Sequence, residues 1–268
     1  MISLRRAAAI VLRQGYLLRG SPARVFPMFA WVTIDIVLWG FITKYLSGIA
    51  EPGFRLIPAL LGAVLLWDFL TRLMQGVTMA FFEDVWSRNF LNVFATPLRI
   101  SEYLIGLVAT SICTSMVGLV VMLVVATFAF GLSFLSYGAA LAPFLLILFL
   151  TGIALGVFAA GVVLRLGPAS EWLIWPIPTL ISPFVGVFYP IAVLPGWMQA
   201  ISRLLAPTYV FEGMRAVVAG KGAPMGELAW GAGLAVVYVL LACAFFWRVH
   251  RYAIRTGLIA RYSAESVS

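Results

Sequence analysis

The sequence predicts an all-α integral membrane protein with six transmembrane helices, and three observations carry that prediction. Of its 268 residues, 63% are hydrophobic and only 10% are charged, against about 25% charged in soluble domains. The apolar residues gather in runs long enough for helices to cross hydrocarbon, which takes about 20 residues. A late stretch, Trp172 to Gly222, starts as such a run but is broken by Pro176, Pro178, Pro183, Pro190 and Pro195. Proline removes a backbone donor and clashes with the preceding turn, and broken backbone is tolerated at membrane depth only under cover of protein or a wet cavity.

In chain order, residues 1–24 hold Arg5, Arg6, Arg13, Arg19 and Arg24 and no acid. Leu4, Val11 and Leu18 recur every seven residues, with Arg6 and Arg13 roughly opposite, which predicts a helix lying in the membrane interface. No apolar core with a small-residue cleavage site follows, so no removable signal peptide is expected. The six expected spans are Val25–Tyr45, Leu56–Phe81, Tyr103–Phe130, Gly138–Leu164, Trp172–Leu194 and Glu227–Arg248. The third and fourth exceed the hydrocarbon thickness and should tilt or project. No repeat and no long linker divides the chain, so residues 1–268 read as one membrane domain.

Lys and Arg alone set orientation. With both termini on one side, that side collects 13 of the 18 Lys and Arg residues and the other side five. The termini are therefore expected in the cytoplasm and residues 184–222 outside, as re-entrant short helices. The net charge of +8 comes from basic residues beside apolar runs rather than among aromatics, which points to lipid headgroups and not to nucleic acid. Cys113 and Cys243 lie inside apolar runs and read as packing residues, not a disulfide.

Four groups of residues are candidates for function. The connection 83–102 places Trp86, Phe90 and Phe94 on one stripe of an expected helix, with Glu83 and Asp84 at its start and Arg88 on its polar side. Such a helix fits lipid or a cytoplasmic partner equally. Asp68 and Arg72, at i and i+4, form either an orienting ion pair or a substrate contact. Asp35 has no charged residue at i±3 or i±4, and a lipid-facing Asp is costly, so a pathway or an interface is expected there. Outside, Glu212 and Arg215 at i and i+3 are expected to pair and fix the re-entrant helices. Gly152, Gly156 and Ala160 give the fourth span a close-packing face, expected to be used within the subunit.

Two stretches carry a resemblance. FFEDVWSRNFLNVFATPLRISEYLIG (Phe81–Gly106) is similar to the cytoplasmic loop of ABC-2-type transporter permeases, where an acidic start, an amphipathic helix and a Thr/Ser-Pro step precede the third span. VGVFYPIAVLPGWMQAISRLLAPTYVFEGMR (Val185–Arg215) resembles that family's external segment before the last helix. The loop chemistry is nearest to the polysaccharide, lipid and drug exporter branches. The resemblance implies a permease of an ATP-driven exporter in a bacterial inner membrane, paired with a second permease, expected to be an identical chain. Two ATPase subunits would dock beneath the N-terminal helix and the loop at Glu83, Asp84, Trp86, Arg88 and Phe90. It further implies an external gate at Phe188, Tyr189, Pro190, Pro195, Trp197, Glu212 and Arg215, while Asp35, Asp68 and Arg72 are the pathway or interface candidates on the cost of charge in the membrane.

No G-x-x-x-x-G-K-[ST] phosphate loop occurs in the sequence, Gly220–Lys221–Gly222 lacking the hydroxyl residue. ATP and Mg are therefore expected in the partner, with no cofactor, metal or catalytic residue in this chain. An intramembrane enzyme fits poorly: Gly131–Leu132–Ser133–Phe134 has no second Gly, and the single histidine, His250, ends the last span. A channel or secondary transporter is the other alternative, although only one broken segment is present where paired ones are expected.

Overall fold

The computed structural model describes residues 3–49, 57–87, 92–93, 96–132, 134–167 and 170–258. Among them the regular structure is entirely helical: α1 (Leu4–Arg19), α2 (Pro22–Ile49), α3 (Gly62–Trp86), α4 (Ile100–Phe130), α5 (Leu141–Leu166), α6 (Glu171–Ile174), α7 (Ile177–Val185), α8 (Gly196–Ser202), α9 (Ala206–Val218) and α10 (Met225–Arg255). A π-helical turn, Ile57–Leu61, leads into α3, and a 3₁₀ segment, Phe134–Ala140, leads into α5. Among the described residues, five helices are long and apolar enough to cross a membrane: those at Phe29–Ile49, Ala59–Trp86, Ile100–Phe130, Tyr137–Leu166 and Met225–Arg255.

The predicted fifth span, Trp172–Leu194, is not one helix. Its apolar helical part ends at Val185, and a turn at Trp175–Pro176 splits even that. Even as one continuous helix, Trp172–Val185 would cover about 21 Å, short of the ~30 Å of hydrocarbon. The physical reason is local. Pro176 and Pro178 interrupt the ladder, Pro183 sits inside α7, and Gly186 at φ +69° ends it in the left-handed region.

α3 is the central helix. Leu65, Leu66, Phe69, Leu70, Leu73, Val77 and Phe81 are all buried. In lipid, apolar burial gives helices little reason to associate, so close approach and polar bonds decide the packing. The small-residue face of α5 supplies the approach: a Cβ at Gly152 would lie 2.7 Å from Leu73 Cβ, and one at Gly156 would lie 2.8 Å from Val77 Cβ. The same register shows that α3 and α5 run parallel. Gly161 against Phe245 carries α10 along α5 in the same direction. α4 runs the other way: Ser111 Oγ donates to the Leu73 carbonyl (2.9 Å), and Gly118 faces Arg72.

The bundle therefore has two ends. The proximal end holds α1, the C-termini of α3, α5 and α10, and the N-terminus of α4. The distal end holds α8 and α9 over the opposite termini, with Gly213 packed on Phe144 and Leu228.

Candidate functional site

At the proximal end α1 buries Ala7, Ile10 and Gln14, not the expected Leu4–Val11–Leu18 stripe; Leu4 is exposed. The reason lies in what α1 rests on. Glycine at 106 lets α1 approach α4 so closely that a Cβ there would come 2.7 Å from Ile10 Cγ2. Arg6 and Arg13, placed by the sequence pattern on the outer polar side, reach acids at the helix ends.

Two clasps result. Glu102 accepts from the Ser3 amide (2.8 Å) and the Arg99 amide (3.0 Å), with Arg6 Nη1 at 3.4 Å. Asp84, fully buried, accepts from Arg13 Nη1 (2.9 Å), from Arg13 Nη2 and from the Tyr103 hydroxyl (2.7 Å). The hydrogen bond with Asp84 holds the Arg13 pKa above its ordinary value despite burial. Arg6 and Arg13 are seven residues apart, about 10 Å along a helix. α1 is thus fixed at two points to the ends of α3 and α4.

The predicted connection helix does not begin at Glu83. Glu83, Asp84 and Trp86 form the last turn of α3, because Phe81, Phe82 and Val85 continue its buried face. An Asp so near a helix C-terminus opposes the dipole, and Arg13 offsets that. Trp86 is half exposed and rests on Phe82, with ring centroids 5.2 Å apart. Arg88, Phe90 and Phe94 lie outside the described residues, so the expected aromatic stripe is represented by Trp86 alone.

Midway along the bundle, Arg72 Nε bonds Asp68 Oδ2 at 2.7 Å, the expected i, i+4 pair. Asp35, on α2, is partly buried. One turn along α2 from Asp35, the Trp39 ring stacks on Phe188 at 5.0 Å and 11°.

The distal segment is knitted by Glu212. Its Oε1 accepts from Arg215 Nη2 (2.8 Å) and from the Ile191 amide (2.9 Å), so the ion pair also holds the 3₁₀ turn Ile191–Val193. Pro190 and Pro195 sit at the N-caps of that turn and of α8. Tyr189 donates to the Pro183 carbonyl (2.8 Å), and Phe184 meets Trp197 edge to face at 6.2 Å. Phe188 and Trp197 keep substantial exposure. Ser202, fully buried, ties α8 to α7 by donating toward the Phe184 carbonyl. Sequence reasoning passed over Ser202 and Gln199, whose Nε2 caps the Leu194 carbonyl at 2.8 Å; single polar residues in amphipathic stretches carry no periodic signal.

Between α3 and the α6–α7 stretch lies a small apolar pocket lined by Met74, Thr78, Phe82, Ile174, Trp175 and Pro178. Among the described residues, no three His, Cys, Asp or Glu side chains are grouped to hold a metal. Both cysteines are free.

The model of the ABC-2 type transporter family matches residues 23–219, well over half of the chain. The chain belongs to the ABC-2 type transporter family. The match runs from α2 to the end of α9, so the central bundle and distal segment are ABC-2 structure, while α1 and α10 flank it. A comparison with curated proteins finds no match. ABC-2 permeases are the membrane components of ABC transporters, generally not catalytic themselves, and normally work with a separate ABC ATPase. The multiple long apolar helices place the chain in a membrane.

Proposed function

We propose that this permease serves an ATP-driven exporter, with its proximal end in the cytoplasm of a bacterial inner membrane and its distal segment outside. α5 and α10 run parallel, so the chain returns from one end of the bundle to the other between Leu166 and Met225. The α6–α7 stretch is the apolar helical segment available for that return, which supports a sixth crossing and termini on one side. The excess of Lys and Arg at the proximal end favours the cytoplasm.

The observation that carries the coupling reading is the pair of clasps on α1. A partner pressing on α1 or on the exposed Trp86 corner moves α3 and α4 through Arg13–Asp84–Tyr103 and Arg6–Glu102. Asp84 is buried, so it acts through Arg13 rather than by touching the ATPase. α3 carries the motion to Asp68 and Arg72 and onward to the distal segment, where Glu212 holds the gate formed by Phe188, Tyr189, Pro190, Pro195 and Trp197. Cargo is proposed to be amphipathic or polymeric (lipid, glycan or drug), moved between two copies of the chain beneath two ATPase subunits that hold ATP and Mg.

Reconstitution of the permease with its ATPase tests this. The permease should raise ATP hydrolysis, and Arg13→Ala should break the link between hydrolysis and cargo movement. Hydrolysis indifferent to the permease and to Arg13→Ala would remove the coupling role.

A further inference from the structure

We propose that the outward face of α10 at the proximal end, carrying Arg248, Arg251 and Arg255, is a binding site for the headgroups of anionic phospholipids. One face of this helix is committed inward: Ala242, Phe246, Val249 and Ala253 are buried in the cluster that includes Phe81 of α3 and Val163 of α5. At 100° per residue, Val237, Leu241, Arg248, Arg251 and Arg255 fall on the opposite side, and all five are exposed. A single outward stripe is therefore apolar as far as Leu241 and basic from Arg248.

Length puts that change at the membrane surface. α10 has 31 residues, about 46 Å, against ~30 Å of hydrocarbon. Trp230 and Trp247 are both exposed and lie about 25 Å apart along the axis, the spacing of two interfacial aromatic belts. Arg248 follows Trp247 directly, and Arg255 projects about 10 Å further. The Arg251 guanidinium lies over the Trp247 ring, 4.5 Å from its centroid, which pre-orders it. Glu227, the one acid of α10, is at the other end.

The occupant follows from charge and continuity. A second copy across a two-fold axis would set this basic stripe against itself, and like charges oppose that contact. A phosphodiester fits, because planar guanidinium groups bind phosphate in a bidentate manner and the lipid's chains continue along Val237 and Leu241. The site depends on α10 alone and stands or falls separately from the transport reading.

The test uses the full-length chain in micelles of equal phosphatidylglycerol and phosphatidylcholine, with the ratio of retained lipids as readout. The wild type should enrich phosphatidylglycerol. Each Arg near a charged surface contributes about fivefold, so R248Q/R251Q/R255Q should lower the enrichment at least about tenfold, while Arg203→Gln at the distal end should leave it unchanged. If the triple variant does not fold, Arg251→Gln serves alone, read by the same ratio of retained lipids and expected to lower the enrichment about fivefold. Wild-type enrichment in a folded triple variant overturns the site. So does a variant that keeps its lipid but no longer co-purifies with the ATPase, which would assign the stripe to that partner.

Discussion

Asp84, in the last turn of α3, accepts both terminal nitrogens of Arg13 in α1, joining a helix on the bundle's flank to its central helix. The pair is unequal: the Asp84 side chain has no exposure and that of Arg13 has 27%. Removing one partner of a buried pair leaves an uncompensated charge and costs about 3–5 kcal/mol. Arg13→Ala should fall below that range, because Tyr103 remains on Asp84 and Arg13 is partly wet. Thermal unfolding in detergent should show Arg13→Ala less stable than Arg13→Ala/Asp84→Asn, since the double variant buries no lone carboxylate. Equal stability would mean that the pair contributes nothing.

Tyr103→Phe isolates the third member of that group. The hydroxyl bonds Asp84 Oδ2 at 2.7 Å in a fully buried setting, and hydrogen bonds to charged groups contribute about 1.5–3 kcal/mol. A loss in that range is expected with the fold intact. ATP hydrolysis uncoupled from cargo movement would mark the bond as part of force transmission, whereas loss of stability alone would leave it structural.

How much of this was legible beforehand differs from residue to residue. The five long helices were visible because apolar runs of spanning length have few other uses, and the Asp68–Arg72 and Glu212–Arg215 pairs because helical spacing places their partners one turn apart. Arg13 with Asp84, separated by 71 positions, was not visible, since no periodic signal links residues on different helices. The acids at 83 and 84 were misread as a helix start because acids usually favour that end; an arginine reaching in from α1 reversed the rule. The fifth expected span is not a single helix for a countable reason, since composition registered its apolar residues but not how closely its prolines would break the ladder.

The α3–α5 contact predicts strong intolerance at two glycines. A side chain at Gly152 or Gly156 would meet Leu73 or Val77 at 2.7–2.8 Å, and it would press on helix backbone as well. Overpacking costs about 1–3 kcal/mol. Gly152→Val and Gly156→Val should each lower the unfolding temperature, whereas Gly233→Ala in α10, where nothing lies within 4 Å, should not. Dimer content should follow stability and not precede it, because both glycines pack within the chain.

Glu212 joins a side-chain partner and a backbone amide, so two substitutions separate its roles. Glu212→Gln keeps an acceptor for the Ile191 amide but weakens the link to Arg215; Glu212→Ala removes both. The Ala variant should therefore free the Ile191–Val193 turn more than the Gln variant does, read as faster protease cleavage between α7 and α8. Equal cleavage of both would mean that the charge pair with Arg215 alone holds the segment.

The sidedness of the distal segment is open to a direct chemical test, and the structure decides where the probe belongs. Ser202 is fully buried and bonded to the Phe184 carbonyl, so a cysteine there would be both shielded and disruptive. Its neighbour Arg203 is exposed at the end of α8. With Cys113 and Cys243 first changed to Ser, because both are exposed, Arg203→Cys should react in whole cells with a membrane-impermeant maleimide. A cysteine at exposed Ser87, one residue beyond α3, should react only after the cells are opened. The reverse pattern would invert the bundle, moving the α1 clasps outside and ending their role in coupling to an ATPase. Labelling of both sites from outside would mean that an even number of segments crosses between them, and that the α6–α7 stretch does not make the return.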